Sequence, residues 1–346
     1  MPILLATPRT ICHVFREQMV RSELLEILRC PKSGEALVLE EPIYEKGRVC
    51  EGWLVAGDAR YPIRDFIPRF VPASNYADNF GMQWNLFKRT QLDSHSGLTL
   101  TADRFWGATG WTVEDLAGEW VLDAGCGSGR FAEIALSSGA NVVAIDYSSA
   151  VDACYQNLSE HPNLDVVQAD IYALPFASNS FPYVYSLGVL QHTPDVHRAF
   201  RALTEAVKPG GRLCVDYYWK RLRTMLLPKY ALRPITRRVP EERLLAFLQR
   251  HLGKLLAASG FVGRVPLIGR GLQRLVPVAN YSGIYPLSEA QLREWALLDT
   301  FDNLAPRYDN PQSAVTARRW LEEAGFDDVE VLQVAHLVAR GVKPTG

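Results

Sequence analysis

Val121-Leu-Asp-Ala-Gly-Cys-Gly-Ser-Gly-Arg130 takes an apolar strand end straight into three glycines spaced by two, and then into a helical pattern. Glycine reaches backbone angles that a side chain forbids and lets a ligand lie against bare peptide. Gly125, Gly127 and Gly129 therefore suit a tight strand-to-helix turn. A helix N-terminus follows at about Ser128, and such an end favours a negative group. Gly-x-Gly-x-Gly alone also fits an ordinary glycine-rich turn. Two acids sharpen it: Asp123 precedes the first glycine, and Asp146 ends a second apolar run at roughly the spacing used for ribose recognition.

Outward from this turn the pattern alternates as in a doubly wound parallel sheet. Strands are expected at Trp120–Asp123, Asn141–Asp146, Asp165–Gln168, Tyr183–Leu187 and Arg212–Asp216. Helices are expected between them, at about Gly129–Ser138, Ser149–Ser159 and Val196–Val207, with Lys208-Pro-Gly-Gly211 stopping the last. Val142-Val-Ala-Ile145 is the continuous apolar run that a strand buried on both faces requires.

The chain has 346 residues, 48% hydrophobic, and a formal net charge of −1, so it can bury a sizeable core and is no whole-chain nucleic-acid binder. No apolar run approaches the roughly 18 residues of a membrane span. Met1 to Met19 fits a secretory signal poorly. Six cysteines in so long a chain do not make a disulfide framework, so reduced thiols and a cytoplasmic setting are the expectation.

Towards the N-terminus, a short helix Ser22 to Leu28 leads to Cys30-Pro-Lys-Ser-Gly34, a strand Ala36–Glu40 and Tyr61-Pro-Ile-Arg-Asp-Phe-Ile-Pro68. This wording resembles the small zinc-ribbon-like domain that accompanies or activates tRNA, rRNA and protein methyltransferases. The metal pattern departs from it: Ser33, Leu54 and Gly57 stand where ligands would be, and Cys50 is off the pattern. One thiolate cannot hold a structural zinc that wants four ligands, so no metal is expected. Val71 to Leu116 is expected to contain two short helices capping the glycine turn. Trp84, Phe87, Phe105 and Trp106 there read as packing residues, with closure over a ligand as the alternative.

Five motifs in order carry a further resemblance: Val121–Gly129, Val143-Ala-Ile-Asp-Tyr-Ser148, Gln168-Ala-Asp-Ile-Tyr-Ala-Leu-Pro-Phe176, Tyr185-Ser-Leu-Gly-Val-Leu-Gln-His192 and Val207-Lys-Pro-Gly-Gly-Arg-Leu213. The chain is similar to class I S-adenosylmethionine-dependent methyltransferases, of the type 11 kind, over about 118–216 and again at 311–342. A dehydrogenase would place its third glycine one residue later. The resemblance implies an α/β, Rossmann-like, doubly wound seven-stranded sheet with an antiparallel last strand. It adds a small N-terminal α+β domain at 20–72, a helical cap at 73–117, a core of 118–216 with 311–346, and a substrate-cover insertion at 217–310. Its implied cofactor is S-adenosyl-L-methionine. Gly125, Cys126, Gly127, Gly129 and Leu187 would lie along it, and Asp123 would engage the ammonium directly or through water. Asp146 would accept the ribose hydroxyls, Asp170 the adenine amine, and Tyr147 and Ile171 would sandwich the ring.

His192 follows the fourth strand where the methyl should point, and imidazole exchanges protons near neutral pH, so it is the candidate base. A packing or cofactor-shell histidine is the alternative. The expected acceptor is a small molecule, a hydroxyl of a sugar derivative or secondary metabolite. The alternatives are a quinone or lipid at a membrane surface, and a partner-binding module with a vestigial cofactor site. Tyr217–Asn280 carries thirteen Lys/Arg against Glu241 and Glu242, about +11, which points to an anionic substrate, an acidic membrane surface or a solvated basic face. Leu245, Leu248, Leu252 and Leu255 form a helical stripe there that suits core packing better than membrane docking. The polar and aromatic run Leu298–Asp309 is expected as a loop, with Asp302, Arg307 and Tyr308 as substrate contacts. A helix at Ser313–Ala324 and strands Val329–Val334 and Leu337–Arg340 close the fold.

Overall fold

In a computed structural model of the chain, the described residues are 22–72, 75, 77–225 and 227–346. Met1–Met19, read above for a leader, and Cys12 lie outside them. A four-stranded antiparallel sheet, β1 (Val38–Glu45), β2 (Arg48–Ala56), β3 (Ala59–Arg64) and β4 (Ile67–Pro68), precedes a seven-stranded sheet. The larger sheet contains β5 (Trp120–Ala124), β6 (Asn141–Asp146), β7 (Leu164–Gln168), β8 (Phe181–Ser186), β9 (Val207–Tyr217), β10 (Asp327–Val334) and β11 (His336–Val342). Its order is β10-β11-β9-β8-β5-β6-β7; β5 to β9 pair in parallel, and β11 runs antiparallel between β9 and β10. This is the expected Rossmann-like sheet.

Alternation along the strands explains why both faces are covered. Leu122, Val143 and Ile145 enter one core with Phe200, Leu203 and Trp320, while Val121, Val142 and Ala144 enter the other with Phe105, Phe131 and Ala135. Each Val, Leu, Ile or Phe among them, removed from water, contributes about 1.5–3 kcal/mol. From β5 the chain steps outward through β6 to β7 and then returns to lay β8 on the other side of β5. Connections diverge between β5 and β8, and a crevice at their carboxyl ends is the place where such sheets bind ligands.

The small sheet shares this core: Leu24, Leu28, Leu54 and Ile63 are buried in the same cluster as Leu122. The Phe70 amide donates to the Gln168 carbonyl at 2.8 Å, so the segment after β4 covers the free edge of β7. Cys30 lies 3.4 Å from the Tyr61 hydroxyl, and Leu54 is fully buried among apolar side chains. No group of three or more His, Cys, Asp or Glu among the described residues is arranged to hold a metal.

Several boundaries differ from expectation. The first strand begins at Val38, and the cap contains four helical pieces, Asp78–Leu86, Asp93–Ser96, Leu100–Thr109 and Val113–Leu116. The helix expected to end at Lys208-Pro-Gly-Gly211 already stops at Ala206, and those residues open β9. The expected loop Leu298–Asp309 is helical as far as Leu304, because Leu298, Phe301 and Leu304 pack on Leu244, Leu245, Leu248 and Leu252. Those leucines form the buried face of the long helix Glu241–Gly263 and belong to a core.

Candidate active site

One cavity of about 660 Å³ opens at the crevice between β5 and β8. Its first end is backbone. The amides of Gly125 and Cys126 both donate to the Ile145 carbonyl at 2.8 Å, folding the turn back over β6. Gly125 has φ +95°, and a Cβ there would come within 2.3 Å of Val189. Gly127 has φ +53°, and its missing Cβ leaves room for the Trp84 indole, 3.1 Å from where that atom would sit. Trp84, half-buried, thus lines the cavity over the turn, whereas Phe87 and Phe105 are buried packing residues.

Of the cofactor residues named from sequence, Gly125, Cys126, Gly127, Asp146, Tyr147 and Ile171 line the cavity; Asp123, Gly129, Asp170 and Leu187 do not. Asp146 accepts from the Ser148 amide at 2.8 Å, the Ser148 hydroxyl at 2.7 Å and the Gly127 amide at 3.1 Å. The carboxylate is thus held by donors from the glycine turn and from the residues just after β6. Burial raises its pKa, against those hydrogen bonds. Asp170 accepts from the Tyr172 amide at 2.9 Å while its neighbours Ala169 and Ile171 face the cavity. Asp123 is fully buried beside the Tyr185 hydroxyl. Burial pushes it up to about 8, the Tyr185 hydroxyl and Arg130 opposing and Asp146 adding to the shift.

His192 lies on the single turn Leu190–His192 after β8 and lines the cavity. Its Nδ1 sits 3.1 Å from the Tyr308 carbonyl oxygen. A carbonyl only accepts, so Nδ1 carries the proton and Nε2 is an acceptor. The Phe80 and Tyr218 rings flank the imidazole at 5.2 and 5.3 Å.

The far end is built from side chains that the sequence did not bring together: Tyr218, Tyr281, Tyr285, Trp295 and Asp299 line it with Asp302. Asp302 accepts from the Tyr218 hydroxyl at 3.2 Å. Asp299 accepts from Gln91 at 3.0 Å and from the Tyr281 hydroxyl; burial pushes it up to about 6, in spite of Tyr281. Arg307 is exposed and off the cavity wall, and Tyr308 reaches the site through its carbonyl. Arg104 and Asp216 pair at 2.6 Å, and the Gly188 amide donates to Asp216 at 2.5 Å. Burial opposes the Asp216 charge, yet Arg104 holds this carboxyl below the usual carboxylate range. Gln83, also on the wall, is buried with neither amide atom hydrogen-bonded. Nothing in a single sequence singles out Gln83 or Asp299; the Arg104–Asp216 pair joins positions 112 residues apart.

Residues 122–215 match the family model described as a methyltransferase domain. Phosphoethanolamine N-methyltransferase 2 of Caenorhabditis elegans is 33% identical over 109 residues, 30% of this chain and 24% of that protein. Ubiquinone biosynthesis O-methyltransferase of Pseudomonas entomophila (strain L48) is 38% identical over 101 residues, 28% of this chain and 44% of that protein. The chain thus spans about a quarter to under a half of the length of these two curated relatives. Among solved structures, the magnesium protoporphyrin IX methyltransferase from Synechocystis PCC 6803 with bound SAH is 16% identical, with a TM-score of 0.44, covering 78% of this chain and 96% of that one. The chain carries a methyltransferase domain at residues 122–215.

Proposed function

We propose that the chain transfers a methyl group from S-adenosylmethionine to a hydroxyl of a small, ring-containing acceptor, a sugar derivative or a secondary metabolite. The observation that carries this reading is that one cavity joins the glycine turn and Asp146 to His192 and to an aromatic, acidic compartment. The site fits the cofactor on two counts. Gly125–Ser128 line the cavity, with Val189 and Trp84 packed where side chains on Gly125 and Gly127 would stand, and Gln83 offers an unmet amide on the wall.

In this reading Gly125, Cys126, Gly127 and Gly129 form the cradle, Asp146 receives the ribose, and Tyr147 and Ile171 hold the adenine. Asp170 would reach the adenine amine and Leu187 would pack behind the turn. Asp123, buried and off the cavity wall, would serve the ammonium through water. The chemistry the cofactor supplies is an electrophilic methyl on a sulfonium. The chain must then align the acceptor, exclude water and take up a proton; alignment contributes on the order of 7–11 kcal/mol and a positioned base roughly 10²–10⁴-fold. His192 Nε2 receives the hydroxyl proton because the Tyr308 carbonyl fixes the tautomer. Asp302 orients the acceptor. Arg307, exposed, would contact only a part of the acceptor that extends beyond the cavity.

The aromatic wall with Asp299 and Asp302 supports a hydroxylated ring, since rings stack on aromatic faces and hydroxyls donate to carboxylates. The two relatives are named for a nitrogen-containing acceptor and for O-methylation, so the acceptor class rests on the cavity. The test is incubation with cofactor labelled in its methyl group and a panel of hydroxylated ring compounds paired with their deoxy analogues. Label entering the hydroxylated members alone supports the reading; equal label in the deoxy analogues contradicts methylation at oxygen.

A further inference from the structure

Of the thirteen Lys and Arg in Tyr217–Asn280, Arg221 and Lys229 line the cavity among the described side chains, and Lys229 is paired with Asp309 at 3.0 Å. Most of the insertion's charge among the described side chains therefore lies off the cavity wall. From Arg243 to Ser288 the chain contains no Asp or Glu and six Lys or Arg.

At the end of the long helix Glu241–Gly263 the polarity is inside out. Ser259 is fully buried, and its hydroxyl accepts from the Gln273 and Asn280 amides, each at 3.1 Å. These polar groups fix the short helix Gly269–Gln273 against the long one, at a closeness that leaves a Cβ on Gly269 only 2.5 Å from the Gly263 carbonyl oxygen. Large apolar side chains nearby in the chain are exposed. Phe261 is 74% exposed, Leu267 106%, Ile268 58% and Leu275 59%, with exposed Arg264 and Arg274 among them. Leu267 also holds φ +65°, a conformation that a leucine rarely adopts. Four large apolar side chains exposed within Phe261–Leu275, beside exposed arginines and with no acid in the segment, suit an interaction site.

We propose that Phe261–Leu275 is a peripheral docking tip for an anionic phospholipid surface, with Phe261, Leu267, Ile268 and Leu275 entering the boundary between headgroups and acyl chains and Arg264 and Arg274 at the phosphates. Basic residues beside apolar ones favour such a surface over neutral lipid. A second copy is the poorer occupant, because a two-fold contact would set this acid-free basic patch against itself. No described helix is long and apolar enough to cross a membrane, in keeping with a tip that lies in the interface. Tyr281 and Tyr285, which follow in the chain, line the cavity, so the tip adjoins the far-end wall in sequence. The proposal does not rest on the methyltransferase reading, since docking is measured without cofactor or acceptor.

The experiment is flotation of the full chain with phosphatidylcholine vesicles, with and without phosphatidylglycerol, across salt concentrations. The chain is expected to float with the phosphatidylglycerol vesicles, less so as salt rises. The combined Phe261→Ser, Leu267→Ser and Ile268→Ser variant is expected to partition at least about tenfold more weakly with an unchanged thermal midpoint. Arg264→Gln with Arg274→Gln should remove the preference for anionic vesicles. Failure of the unsubstituted chain to float, or equal flotation of the triple-serine variant, overturns the proposal. So does a dimer in sedimentation velocity that the triple-serine variant turns into monomer without any flotation of the parent.

Discussion

The two ends of the cavity are made by different means. At the glycine turn the wall stands on Gly125–Ser128 and the ends of β6 and β7, a main chain held by parallel ladders and by amides folded onto Ile145. At the far end it is side chains, from Phe80 in the cap to His336 on β11, standing on helices and strands that are remote in sequence. A wall of main chain keeps its shape whatever side chains change around it, which suits a constant ligand. A wall of side chains can be rebuilt one residue at a time, which suits an acceptor that differs between proteins.

Substitutions at the two ends should therefore separate acceptor chemistry from cofactor binding. His192→Ala should lower kcat by roughly 10²–10⁴-fold while leaving cofactor affinity near that of the parent, measured by turnover and calorimetry; near-normal turnover would reduce His192 to a packing residue. Gly125→Ala places a methyl against Val189 at positive φ. It should destabilise the fold by about 1–3 kcal/mol and weaken cofactor binding at least tenfold. If the variant binds as well as the parent, the turn is not a cradle. Gln83→Leu removes two unsatisfied buried polar atoms and should raise stability by about 1–3 kcal/mol while weakening ligand binding. A loss of stability there would mean that Gln83 already has a partner.

The pH dependence of stability offers a further check. Burial pushes Asp123 up to about 8, whereas an unfolded aspartate titrates near 3.9. Between these values the native state holds the extra proton, so stability falls as pH rises through this window. Asp123→Asn should flatten that slope in thermal unfolding between pH 5 and 8, by at most a few degrees in midpoint. A slope unchanged in the variant would place the titration elsewhere.

How far the sequence discloses each end follows from the same contrast. β5 and β6 carry apolar runs buried on both faces, and their terminal turn is fixed by glycines next to one another in the chain, so the fold and the first end can be read locally. The aromatic and charged neighbours of Asp302 suggest a site loop, yet the segment Leu298–Leu304 is helix because distant leucines on Glu241–Gly263 cover it. The Arg104–Asp216 pair and the bond from His192 to the Tyr308 carbonyl each join positions more than 100 residues apart. No periodicity discloses such contacts. The stripe Leu245, Leu248, Leu252 and Leu255 packs into a core, as its spacing suggests; Phe261, Leu267, Ile268 and Leu275 are exposed at and beyond the helix end, near buried Ser259 and its bonds to Gln273 and Asn280.

Titration calorimetry of S-adenosylmethionine into protein freed of copurified ligand bears most directly on the central claim. One molecule bound per chain, with affinity sharply reduced in Gly125→Ala and little changed in His192→Ala, is the predicted result. No heat of binding in properly folded protein would contradict it.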